Sequence, residues 1–134
     1  MLNVMRLSLA LFGIGAIAVG LGFAIAPDRL AVEFALSPVS VAGLGNLRAD
    51  LGGCFIALGG FTLLGLRPGR EQWLNVPIAL IGLFLFLRLI HLGIDGISDG
   101  GIRSTVVEII LLLQLGLGRR LLANSDERFT RPEF

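Results

Sequence analysis

Lysine and tyrosine are absent from this chain, cysteine, histidine and tryptophan occur once each, and charged residues make up only 16% of its 134 positions. Each shortage excludes something. With Cys54 alone, no disulfide can close within the chain. With His91 alone and no second His or Cys beside it, zinc lacks ligands, and a bis-histidine haem cannot be built from one chain. A five-coordinate haem would rest on His91 by itself. All eleven basic residues are arginine, in keeping with a high-GC bacterial source, and they are dispersed along a chain of net charge +1. Nucleic acid, which needs a clustered basic surface, is not an expected partner.

What is abundant is apolar. Hydrophobic residues make up 54% of the chain, with 19 glycines, and mean hydropathy is +0.86. A soluble domain of this size has no core large enough to hide that much, so the bilayer is the expected solvent. Leu7–Ala26 is an apolar run long enough to cross a hydrocarbon layer of about 30 Å. Ala24-Ile25-Ala26 at its end imitates a signal-peptidase site behind Arg6. The run is longer than an ordinary signal core, and Pro27 would become the first mature residue, so span one is expected to be retained. Pro27–Leu36 sets Leu30, Ala31 and Phe34 against Arg29 and Glu33, the pattern of a short interfacial helix, and Ser37-Pro38 ends it.

Span two is expected over about 44–66. Its uninterrupted apolar part, Leu51–Leu66, is too short alone and must recruit the turns that carry Arg48 and Asp50. Gly45, Gly52 and Gly59 repeat every seven residues, Ala49, Gly53 and Ala57 every four, and Ala16, Gly20 and Ala24 offer span one a matching groove. Such stripes let helices approach closely, either inside the bundle or against a second copy or partner subunit. Arg67-Pro68-Gly69-Arg70 is a turn, and Trp73 after it stands as an interfacial anchor. Spans three and four are expected at about 73–94 and 102–122, with Asp95–Gly101 as a glycine-rich acidic loop between them. That leaves 1–122 as one domain and 123–134 as a polar tail.

The expected fold is an all-α membrane protein, an antiparallel bundle of four transmembrane helices. Arginine placement orients it. With both termini inside, Arg6, Arg67, Arg70, Arg119, Arg120, Arg128 and Arg131 face the cytoplasm, and only Arg29 and Arg103 face outward. The positive-inside rule therefore favours an N-in, C-in protein.

Polar residues then gather in one half. Asn46, Arg48 and Asp50 open span two, Arg88, His91 and Asp95 close span three, and Arg103 and Glu108 open span four, so all of them fall in the outer half of the bundle. Arg88, His91 and Asp95 share one helical face at spacings of three and four. A charge facing lipid near the bilayer centre costs at least ~2.5–3.5 kcal/mol, so these groups should pair or line a polar pocket. Glu108 lies deep enough in its span to need a partner, Arg88 or Arg48. Such pairs can simply specify which helices touch. They can equally form a ligand site, and His91 with Asp95 has the form of an oriented proton-transfer pair. Asp95 and Asp99 lack the ligand spacing of a calcium loop. Gly13 and Gly15 follow no strand, so they are not a dinucleotide fingerprint. Cys54 reads as a small packing residue, because apolar surroundings disfavour a reactive thiolate.

Asn46-Leu47-Arg48-Ala49-Asp50-Leu51-Gly52-Gly53, Arg88-Leu-Ile-His91 with Asp95-Gly96, and Glu108 together resemble the bacterial domain-of-unknown-function 4345 proteins. The resemblance spans about Leu7–Leu122. It implies a small four-helix protein of the bacterial inner membrane and carries no activity. A looser similarity links the chain to the DoxX group, four-helix proteins some of which serve quinone-linked oxidoreductases. The leading expectation is a protein without chemistry or cofactor of its own, whose outward polar pocket binds a small ligand, a lipid headgroup or a partner subunit. Arg48 and Arg88 would be its anion-binding groups. A quinone-linked enzyme subunit using His91 and Asp95 is the alternative, and transport by a chain of four spans without internal repeats ranks third.

Overall fold

The structure, a computed structural model, describes residues 1–37 and 40–130, the last five of these as backbone alone. Among the described residues every regular element is helical: α1 (Leu2–Ile25), α2 (Pro27–Glu33), α3 (Val41–Asn46), a π-helical turn (Leu47–Gly52), α4 (Gly53–Gly65), a 3₁₀ turn (Glu71–Leu74), α5 (Asn75–Ile94) and α6 (Asp99–Thr130). The π turn joins α3 and α4 into one rod. Three segments, Leu2–Ile25, Val41–Gly65 and Glu71–Ile94, are long and apolar enough to cross a membrane. Large apolar side chains stay exposed on all of the long helices, among them Leu11, Ile56, Phe86 and Leu113. A protein dissolved in water does not display so much greasy surface, and lipid is the solvent that suits it.

The helices run against one another in two antiparallel pairs. In the first, α1 lies along α4 and the π turn. Glycine sets the spacing. A Cβ on Gly20 would stand 2.7 Å from the Gly52 carbonyl oxygen and 2.8 Å from the Ile56 amide nitrogen, and one on Gly59 would strike the Gly13 carbonyl oxygen. Gly52 and Gly59 of the seven-residue stripe are thus consumed within the chain by Gly20 and Gly13, while Gly45 stays open. In the second stripe Ala49 and Gly53 are exposed, and nothing lies within 4 Å of a Cβ built on Gly53.

In the second pair, α5 packs on α6. The two pairs meet at the near end, where α1 begins. There Leu9, Leu58, Leu74, Ile81, Leu115 and Leu122 form a buried cluster, and Leu9 fills the space that a Cβ on Gly118 would need. Gln114 Nε2 donates to Ser8 Oγ at 2.5 Å, tying α6 to α1. At the far end the first pair is closed by aromatic rings: Phe23 meets Phe34 edge-on at 5.1 Å and stacks on Phe55 at 6.2 Å, so α1, the end of α2 and α4 share one cluster.

Several boundaries differ from expectation for identifiable reasons. Helix α2 stops at Glu33 because Leu36 N–H reaches the Ala31 carbonyl at 2.8 Å and Ala35 N–H the Val32 carbonyl at 3.0 Å, with Ala35 at φ 55°. That is a Schellman stop with alanine where glycine is usual. Pro38, the expected breaker, lies outside the described residues. The loop between α5 and α6 is shorter than the expected Asp95–Gly101, because Ser98 Oγ accepts from the Gly101 amide at 3.1 Å and starts α6 at Asp99. Gly96, at φ 102°, makes the turn that permits this. The polar tail expected from residue 123 continues α6 through Thr130, since no glycine or proline interrupts 119–130. Residues 131–134 of that tail lie outside the described residues.

Candidate functional site

At the far end the second pair is joined by charge. Arg88 Nε on α5 donates to Glu108 Oε1 on α6 at 2.9 Å, and Nη2 stands 2.8 Å from the same oxygen. Glu108 has only 11% of its side chain exposed, whereas Arg88 keeps 33%. The two therefore differ in role. Glu108 is a buried counter-charge, and Arg88 carries its positive charge from that carboxylate out to the surface. Glu108 Oε2 is buried without a hydrogen-bond partner.

One turn further along α5, His91 Nδ1 lies 2.7 Å from Asp95 Oδ2. This pair is local, since residues four apart stack on a helix, and both side chains are more than half exposed. The contact engages Nδ1, so Nε2 is the ring nitrogen left for another partner. Phe84, Leu87, Arg88 and His91 line an open groove of about 280 Å³ along this face. All four belong to α5, so the groove is a shallow one along that helix, apolar at Phe84 and Leu87 and polar at Arg88 and His91 toward the far end.

The expected constellation is therefore divided. Of the two arginines considered for Glu108, the structure supplies Arg88. Asn46, Arg48 and Asp50 sit exposed around the π turn, which packs on α1, α3, α4 and α2. Arg103 is exposed on the first turns of α6. None of these four makes an ion pair among the described residues. The physical reason is the glycine packing: by pressing α1 onto the π turn and α4, it assigns span two to α1 and leaves α5 to α6. Among the described residues no three His, Cys, Asp or Glu side chains come together as a metal group would require.

Three features of the architecture were not foreseen from the sequence. The π turn carrying Arg48 and Asp50 has no local signal, because Leu47–Gly52 reads as ordinary helix. The Ser8–Gln114 bond joins residues 106 apart, and only Gln114, as a polar interruption in an apolar run, hinted at it. The aromatic cluster around Phe23 depends on where α2 folds back. No family model, curated protein or solved structure matches the chain.

Proposed function

We propose that this chain is a four-span inner-membrane protein of a bacterium, N-in and C-in, whose far-end groove binds a small ligand or lipid headgroup. Helix α6 is the fourth span in this reading, α2 lies in the outer interface, and the seven arginines at the near end and in the tail face the cytoplasm. The likeness to the domain-of-unknown-function 4345 proteins agrees with it and supplies no activity. The observation that carries the proposal is the asymmetry of the ion pair. A pair serving only to join helices would be best buried on both sides, yet Arg88 is one-third exposed in a groove whose other walls include Phe84 and Leu87. A charge displayed at that depth has use for a guest.

Arg88 is the anchoring group, Glu108 its counter-charge, and His91 and Asp95 form the polar lip. Arg48, Asp50, Asn46 and Arg103 become interfacial residues whose charged ends reach headgroups or water. The open end of the second stripe, Ala49 and Gly53, is the face for a partner subunit or second copy. The test is mass spectrometry of small molecules co-purifying in mild detergent, comparing wild type with Arg88→Gln. A species held by wild type and lost from the variant is the expected result. Equal and empty preparations would sink the ligand reading and leave the pair as a helix staple.

A second reading has its own observation. The 2.7 Å contact of His91 Nδ1 with Asp95 orients an imidazole whose Nε2 can exchange a proton at the rim of an apolar groove, which suits a hydrophobic redox carrier such as a quinone. Quinone in the wild-type extract, with its retention dependent on His91, would favour this reading.

A further inference from the structure

The groove orders its chemistry along α5. Phe84 and Leu87 come first, then Arg88, then His91, and Asp95 stands at the mouth where the helix ends. At 1.5 Å rise per residue, Arg88 and Asp95 are about 10 Å apart along the axis on one face. Positive charge therefore lies deeper and negative charge further out. A free anion gains little here, because Glu108 already neutralises Arg88 and Asp95 adds a second carboxylate within reach. A free cation is held off by Arg88. A guest that carries its negative group inward and its positive group outward meets both.

On the reading of the groove as a ligand site, we propose that its occupant is a zwitterionic phospholipid with a primary amine, a phosphoethanolamine headgroup. The phosphate sits at Arg88, which turns Nε and Nη2 to a single glutamate oxygen and retains the N–H groups of Nη1 for a second acceptor. The ammonium group lies outward at Asp95, whose Oδ2 alone is taken by His91. At about 280 Å³ the groove has room for a headgroup and not for acyl chains. The chains run from it over the exposed apolar surface of α5, at Leu83, Phe84 and Leu87. Head outward and chains inward is the orientation of a lipid in the outer leaflet when both termini face the cytoplasm. A soluble phosphate ester would have no use for that surface.

The experiment is native mass spectrometry of the full chain in detergent, delipidated and titrated with dioleoyl phosphatidylethanolamine, phosphatidylcholine or phosphatidylglycerol. Wild type should retain phosphatidylethanolamine about 10-fold better than phosphatidylglycerol, a difference of about 1.4 kcal/mol. Phosphatidylcholine, which cannot donate a hydrogen bond to a carboxylate, should fall between them. Asp95→Asn, an exposed substitution that removes charge without disturbing the core, should abolish the preference while phosphatidylglycerol binds at least as well as before. Arg88→Met with Glu108→Leu, which leaves no unpaired charge, should lower all three lipids to one weak level. Equal binding of the three lipids by wild type, or an unchanged preference in Asp95→Asn, overturns the headgroup assignment. A wild type that ignores phospholipid but carries another molecule lost in the double variant also overturns it, while the groove stands as a binding site.

Discussion

The two helix pairs of this protein are held by opposite means. Helices α1 and α4 touch backbone to backbone through Gly13, Gly20, Gly52 and Gly59, with Phe23, Phe34 and Phe55 closing the far end. In α5, by contrast, Pro77 and Ile81 are the buried residues, both toward the near end, and an ion pair alone among the described side-chain bonds joins its far half to α6. In lipid there is little hydrophobic drive to bring helices together, so close packing and polar bonds take its place. Close packing leaves no room for a guest. A charged pair that is open on one side does, which is why the proposed site is assigned to the second pair and the first reads as scaffold.

The comparison can be broken most severely at Glu108. Glu108→Leu leaves Arg88 without its counter-charge and should cost up to ~3–5 kcal/mol, the figure for a fully buried pair, seen as a fall in melting temperature in detergent. Replacing both partners, Arg88→Met with Glu108→Leu, should return stability close to wild type, because a well-packed apolar pair often does as well as a buried ionic one. An unchanged melting temperature in Glu108→Leu would show that the pair does not hold α5 to α6.

A smaller effect is expected in the scaffold. Gly20→Ala sets a methyl group against the Gly52 carbonyl and the Ile56 amide, backbone atoms that cannot swing aside, and should cost ~1–3 kcal/mol by overpacking. Ligand content per folded molecule should stay at the wild-type value, since none of these atoms lines the groove. Loss of ligand along with stability would mean that the two pairs are not separate in function. The smallest effect is a gain. Ala35→Gly relieves a left-handed backbone at φ 55°, a conformation costing roughly 1–2 kcal/mol for an L side chain, while glycine's extra freedom when unfolded takes back roughly 0.5–1. A rise of a degree or two in melting temperature is the expected reading, and a fall would contradict the stop assigned to α2.

Which parts of this architecture could be read from the chain follows from the range of the forces involved. The three helices long and apolar enough to cross a membrane were legible because apolar runs such as Leu7–Ala26 are contiguous, and His91 with Asp95 because residues four apart meet on any helix. Glu108 announced its need for an arginine but not the identity of that arginine. Choosing Arg88 over Arg48 depends on which helix faces which, and that is decided elsewhere, by Gly13 and Gly20 accepting Gly59 and Gly52. The stripes were visible in the sequence, but only the packed chain separates Gly52 and Gly59, which are consumed, from Gly45, Ala49 and Gly53, which stay open. The π turn at Leu47–Gly52 and the fold-back of α2 that brings Phe34 onto Phe23 have no local signature. The run of α6 past residue 122 follows from the absence of glycine and proline in 119–130, a signal that polar composition masks.

The measurement that bears most directly on the two-pair account is the small-molecule content of the Arg88→Met, Glu108→Leu protein beside its melting temperature, with wild type prepared in parallel. The account predicts a double variant that melts within a few degrees of wild type and has lost the molecule wild type carries. A double variant equally stable and still fully loaded would contradict it, and would make the charged pair a staple between helices instead of a site.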